Sequence, residues 1–212
     1  MTGHLQVLAQ ALEAGDRDRV EALTRAALAR RTEPRDILSA LLAGMAVVGE
    51  RFRDHEIFLP DVLLAARAMN AAMVLLKPLL VRDGIPTLGT IVLGTVAGDL
   101  HDVGKNLVGI MLSGAGFEVV DVGTDVPADR FVEAAVASGA SVIGLSALLT
   151  TTMVNMQPVI DLIERRGLRG SVRTIVGGAP VTEAFARELG ADAYGFDAAN
   201  AVQRVRALLD LS

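Results

Sequence analysis

Up to about Val81 the chain shows helical periodicity only, with apolar residues returning every three or four positions. Leu5, Leu8, Ala9 and Leu12 fall on one face. Between Asp16 and Arg30 the spacing repeats with Val20, Leu23, Ala27 and Leu28. Thr32 and Pro34 supply start signals for a third run, Ile37 to Phe52. Pro60 opens a fourth, through Leu63, Ala66, Met69, Met73 and Leu76. Four helices with short connections predict an all-α helical bundle over residues 1–84. Asp83-Gly84-Ile85-Pro86 ends the pattern.

Beyond that break the pattern changes to strand, turn, helix, repeated. TLGTIVLGTV (87–96), FEVVDVG (117–123), SVIGLSAL (141–148), SVRTIVGG (171–178) and ADAYG (191–195) are short β-branched runs. Helical patterns begin near Val103, Pro127, Thr151, Val181 and Asp197. Strands apolar on both faces, alternating with helices, predict a parallel sheet covered on each side. Residues 85–212 are therefore expected to form an α/β, Rossmann-like (flavodoxin-like) domain with a five-stranded parallel sheet. Such sheets bind ligands at the carboxyl ends of their strands, where the strand order reverses. The stretch GDLHDVGKN (98–106) follows the first strand and so falls at that edge.

Composition narrows the chemistry. With 51% hydrophobic residues in 212, the chain can bury a sizeable core. No uninterrupted apolar run approaches the roughly 20 residues of a membrane span, and the N-terminus lacks the pattern of a secretory signal, so a soluble cytoplasmic protein is expected. There is no cysteine, so disulfides, thiolate metal sites and cysteine nucleophiles are excluded. A formal net charge of −5, one tyrosine and no tryptophan argue against nucleic acid as a partner.

Of three histidines, His4, His55 and His101, the last stands between glycines in the strand-to-helix turn. One reading makes it a capping or structural residue, although Asp99 or Asp102 alone would serve as a cap. The other makes it a metal ligand on a loop, with Asp99 bonded to the far ring nitrogen. A single protein ligand cannot hold a bare ion, so that metal would arrive already held by a cofactor. Dinucleotide binding is disfavoured because Gly94, Gly98 and Gly104 lack the G-x-G-x-x-G spacing, and the Gly-Lys-Ser/Thr ending of a phosphate loop is absent too. Ser146 ends the central strand where a response regulator would carry its phosphoacceptor aspartate.

Asp99-Leu100-His101-Asp102-Val103-Gly104 resembles the Asp-x-His-x-x-Gly motif of cobalamin-binding domains. Ser146-Ala147-Leu148 is similar to the family's Ser-x-Leu, and Gly177-Gly178 to its paired glycines. The helical half, through GMAVVGERFRDHEIFLPDVLLAARAM (44–69), resembles the family's methylcobalamin cap. The resemblance covers nearly the whole chain. It is nearest the stand-alone corrinoid proteins of methylamine and methanol methyltransferase systems and the cobalamin-binding module of methionine synthase.

The resemblance implies a cobalamin, as methylcobalamin or a related corrinoid, bound with its own base detached and with His101 coordinating cobalt from below. Asp99, Asp102, Thr150 and Thr152 would accompany it, Thr152 standing where the family has a serine. Gly104 would leave room for the corrin, and Ser146, Leu148, Gly177 and Gly178 would line a slot for the displaced nucleotide tail. Taken alone, the glycine pair reads as an ordinary strand-to-helix turn, and Thr150 to Thr152 as helix caps. Phe52, Leu59 and Val62 would form an apolar lid over the methyl group, or else belong to the bundle core. His55 stands where relatives commonly have a small residue. The implied role is that of a non-catalytic methyl carrier. Cobalt would alternate between Co(I) and methyl-Co(III), serving a substrate-specific methyltransferase and a folate- or thiol-linked acceptor methyltransferase, with a reductive activase as a further partner. The rival readings are the cobalamin-binding subunit of an adenosylcobalamin-dependent mutase, which would not need the methyl-cap-like half, and a cobalamin-dependent sensor.

Overall fold

The computed structural model describes residues 3–83 and 88–211. Of the predicted break, Asp83 caps the last N-terminal helix with its N–H on the Leu79 carbonyl; residues 84–86 lie outside the described residues. The chain forms two units. One takes in the N-terminal helices and Ser113–Gly116, and the other Leu88–Leu112 and the chain from Phe117 onward.

The helical unit consists of α1 (Gly3–Glu13), α2 (Arg17–Ala29), α3 (Pro34–Arg53) and α4 (Leu59–Arg82). Local chemistry sets its boundaries. Asp16 caps α2 by accepting the Arg19 N–H at 3.1 Å. Asp61, in the first turn of α4, accepts the Phe58 N–H at 2.9 Å. Pro34 does open α3, but Thr32 does not cap it: Glu33 holds the cap position, and the Thr32 hydroxyl lies 3.3 Å from His4 Nε2. In α4 the buried stripe is Val62, Ala65, Ala66, Met69, Ala72, Leu76 and Leu80, so Leu63, expected inside, is exposed. The run Val62-Leu63-Leu64-Ala65-Ala66 is apolar throughout its first turns, and periodicity there does not set the phase. By length and composition α4 could cross a membrane. Its stripe packs against α2 and α3, however, and Arg67, Asn70 and Lys77 stand exposed off that stripe, which is the character of an amphipathic helix in a bundle.

The sheet unit runs β1 (Thr90–Val96), α5 (Val103–Gly114), β2 (Glu118–Val126), α6 (Ala128–Ser138), β3 (Val142–Ser146), a 3-10 turn (Met153–Met156), α7 (Gln157–Arg165), β4 (Arg173–Gly177), α8 (Glu183–Leu189), β5 (Ala193–Gly195) and α9 (Ala198–Leu208). All pairings are parallel, in the order β2-β1-β3-β4-β5. This is the five-stranded, doubly wound sheet that the sequence predicts. Val92, Ile143, Phe131, Met156 and Ile160 are among the fully buried side chains on which the sheet and its helices close. The third strand ends two residues sooner than expected, at Ser146, and the helix expected near Thr151 is preceded by the 3-10 turn. Residues 147–152 are thereby released as a loop. Because β1 has β2 on one side and β3 on the other, the loops after β1 and β3 diverge across the carboxyl edge of the sheet and leave a crevice between them.

Candidate functional site

At that crevice the carboxylate of Asp99 has no accessible surface, and an isolated buried charge is costly. The chain supplies hydrogen-bond donors from both loops. Oδ2 accepts the Thr152 hydroxyl at 2.7 Å, the Leu148 N–H at 2.8 Å and the Leu149 N–H at 3.2 Å. Oδ1 takes the His101 N–H at 3.1 Å and stands 2.7 Å from His101 Nδ1. Burial pushes the carboxyl pKa up, but the bonds from Thr152, the Leu148 amide and His101 outweigh it and hold the group well below the usual carboxylate range. An ionised carboxylate only accepts, so the proton between the two residues sits on Nδ1. The neutral ring then keeps its lone pair on Nε2, which has no partner among the described residues, on a side chain that is 50% exposed.

The surrounding loop is braced as well. Thr95, buried in β1, donates its hydroxyl to the His101 carbonyl at 2.8 Å, and Asn155 Nδ2 donates to the Ala97 carbonyl at 2.7 Å. Lys105 is buried at the start of α5 and bonded to Asp121 on β2 and to Asn106, which fixes that helix against the edge strand. The sequence motifs do not single out Thr95, Leu149 or Asn155. Of these only Thr95, a hydroxyl inside an otherwise apolar stretch of a buried strand, carries a signal there; the Leu149 contribution is a backbone amide, which no side-chain motif marks.

The structure thus brings together Asp99, His101, Leu148 and Thr152. Thr152 is buried and does not cap the 3-10 turn. Thr150 is exposed and makes no hydrogen bond to this set. Asp102 is exposed and accepts from Asn106 Nδ2 at 3.0 Å. Ser146 pairs with Gly177 across β3 and β4, so both stand at the carboxyl edge. The glycine pair has a reason of its own in the fold. A Cβ on Gly177 would lie 2.8 Å from the Gly195 carbonyl oxygen, and one on Gly178, at φ 127°, only 1.9 Å from that of Ala147. Gly104 is the opposite case. It lies in the first turn of α5, exposed, and a Cβ there would meet nothing within 4 Å. Alanine would suit that helix better. In the helical unit Phe52 and Leu59 are half-buried and keep some surface, whereas Val62 is fully buried and keeps none. His55 is exposed in the α3–α4 turn.

Among the described residues no group of three or more His, Asp or Glu could hold a metal ion. The donor set suits a different chemistry, in which one oriented imidazole nitrogen completes the coordination of a metal that brings its own ligand frame, beside an open glycine face with space for a broad, flat partner. A family model described as a B12 binding domain matches residues 89–205, and a second of that description matches residues 5–77. A trimethylamine corrinoid protein of Methanosarcina mazei is 47% identical over 186 residues, 86% of each chain. A dimethylamine corrinoid protein of Methanosarcina barkeri is 45% identical over 207 residues, 97% of each. Of solved structures, a methanol:cobalamin methyltransferase complex from Methanosarcina barkeri is similar with a TM-score of 0.86 and 31% identity, over 100% of this chain and 82% of that one. A cobalamin-binding protein from Desulfitobacterium hafniense is similar with a TM-score of 0.80 and 34% identity, over 96% and 98%.

Proposed function

The chain belongs to the corrinoid proteins of methylamine and methanol methyltransferase systems, with cobalamin or a related corrinoid as its cofactor, and from that membership we propose that it carries a methyl group between two methyltransferases with His101 as the lower ligand of cobalt. The observation that supports this reading is the hydrogen-bonded line from Thr152 through Asp99 to His101, which leaves Nε2 as the unengaged end. Bound cobalamin supplies the reactive centre, a cobalt that takes up and gives up a methyl group.

The chain's own residues provide ligation and its control. Asp99 fixes the ring orientation and the tautomer through Nδ1, which makes Nε2 the stronger donor. The Thr152 hydroxyl and the Leu148 and Leu149 amides keep Asp99 ionised and in place. Gly104 leaves its face of α5 open to the corrin. Ser146, at the carboxyl edge of β3 beside Gly177 of β4, would with Leu148 and Gly178 hold the displaced nucleotide tail. Among the described residues no acid, base and nucleophile converge beyond the ligand set; in this reading the donor-side and acceptor-side methyltransferases supply substrate activation. A third partner, a reductase, would restore cobalt that has been oxidised. The working place is the cytoplasm.

Reconstitution with hydroxocobalamin followed by reduction to Co(II) tests the ligand. Electron paramagnetic resonance of wild-type protein carrying 15N-labelled histidine should show the splitting of one axial 15N, retained in His4→Ala and His55→Ala and lost in His101→Ala. Unchanged splitting in the His101 variant would remove the basis of the reading.

A further inference from the structure

Asp125, near the end of β2, is a non-glycine residue in the left-handed region, with φ 53°. That conformation is unfavourable for most side chains and persists where surrounding contacts hold it. Those contacts are on the ligand loop. Asp125 Oδ1 accepts the Gly98 N–H at 2.6 Å, and the Asp125 N–H donates to the Asp99 carbonyl at 2.9 Å. One residue thus grips both ends of the Gly98-Asp99 dipeptide. The two holds on Asp99 are separate: the β3 loop fixes its carboxylate through Thr152, Leu148 and Leu149, while Asp125 fixes its main chain from the β2 side.

We infer that Asp125 is a positioning residue for His101, setting the backbone from which Asp99 aims the imidazole. This rests on the proposal that His101 ligates cobalt. The ligand-bound state requires one ring geometry and the released state requires none, so loosening the Gly98-Asp99 backbone weakens only the bound state. The bound-to-released ratio of His101 therefore falls when the grip is lost. Because the hydrogen bond is what matters, a neutral side chain with the same acceptor oxygen replaces the aspartate, and asparagine tolerates the left-handed backbone as well.

The test uses the full chain as Asp125→Gly and Asp125→Asn, with His101→Ala as control. Asp125→Gly removes the acceptor while relieving the backbone, so a loss of ligation in that variant does not come from a strained fold. In protein without cofactor, hydrogen exchange at the Gly98 amide should be faster in Asp125→Gly than in the wild type and unchanged in Asp125→Asn. After loading of 15N-histidine-labelled protein with hydroxocobalamin and reduction to Co(II), the fraction of the resonance spectrum split by 15N gives the bound-to-released ratio of His101. It should fall about tenfold in Asp125→Gly, in line with losses seen when a ligand-orienting group is removed, and stay within about twofold of wild type in Asp125→Asn. A wild-type ratio in Asp125→Gly, with the splitting abolished in His101→Ala, overturns the role of Asp125 alone. An equal fall in both Asp125 variants assigns the effect to charge and overturns positioning. Splitting that survives His101→Ala overturns both the ligand and this inference.

Discussion

A carboxylate without accessible surface stays ionised only if its donors outweigh the loss of water, and at Asp99 they do. The consequence for stability has a definite sign. The folded-state pKa lies below the unfolded value of about 3.9, so the stabilisation is fully present above that value and disappears as pH falls through the folded one. Asp99→Asn should cost about 2 to 3 kcal/mol at pH 7. In urea titrations the gap between variant and wild type should narrow below about pH 4. A gap independent of pH would mean that the carboxylate is not held ionised. Gly104 separates fold from cofactor in the other direction. Among the described residues nothing lies within 4 Å of a Cβ added there, so Gly104→Ala should leave the cofactor-free protein as stable or up to about 1 kcal/mol more stable. Corrinoid affinity, measured by absorbance titration, should nevertheless fall. Equal affinity would show that no large ligand approaches that face. Of the expected site residues, those in the Asp-x-His-x-x-Gly stretch were legible because a lone histidine between glycines fits poorly with a purely structural role. Periodicity and composition do not separate Thr150 from Thr152; the resemblance does, by matching Thr152 to the family serine, and it is the Thr152 hydroxyl that reaches Asp99.

The buried strands were readable as elements because parallel strands covered on both faces are apolar runs, and β1 has six of its seven residues buried. Their ends were not. Ser146-Ala147-Leu148 continues the apolar run of β3, yet the chain leaves the sheet at Ser146, because the amides of Leu148 and Leu149 are drawn to Asp99. At the start of α4 Leu63 was misplaced for a similar reason, an apolar turn with no polar face to orient it, whereas Ala66, Met69 and Leu76 are buried as expected. The α3–α4 turn hides a backbone requirement. His55 sits at φ 60° with its N–H on the Phe52 carbonyl at 3.2 Å, a conformation that suits glycine, so a small residue at this position has a conformational rationale. His55→Gly should raise the thermal stability of the full chain, by about 1 kcal/mol. A loss of stability would mean that the imidazole contributes more than its backbone strain costs.

Two units with different grammar make up the chain, helices alone in one and a doubly wound sheet in the other. The change of periodicity made that division legible. The order of strands β1 and β3 about the crevice was reachable from the fold class, and the resemblance marked Thr152 beside Asp99 and His101, but the amide donors of Leu148 and Leu149 were not legible, because they are backbone groups that no side-chain motif marks. A carrier of the proposed kind, with one oriented ligand and, among the described residues, no converging acid, base and nucleophile, should hold a methyl group but not turn over. The most direct measurement is a count of methyl groups per cobalt. Reduced, corrinoid-loaded protein treated with a labelled reactive methyl donor should take up about one methyl per cobalt and stop. Release to the acceptor, and then multiple turnovers, should appear only when donor-side and acceptor-side methyltransferases are both added. Sustained turnover by the purified chain alone would contradict the carrier role and require an active site that these residues do not form.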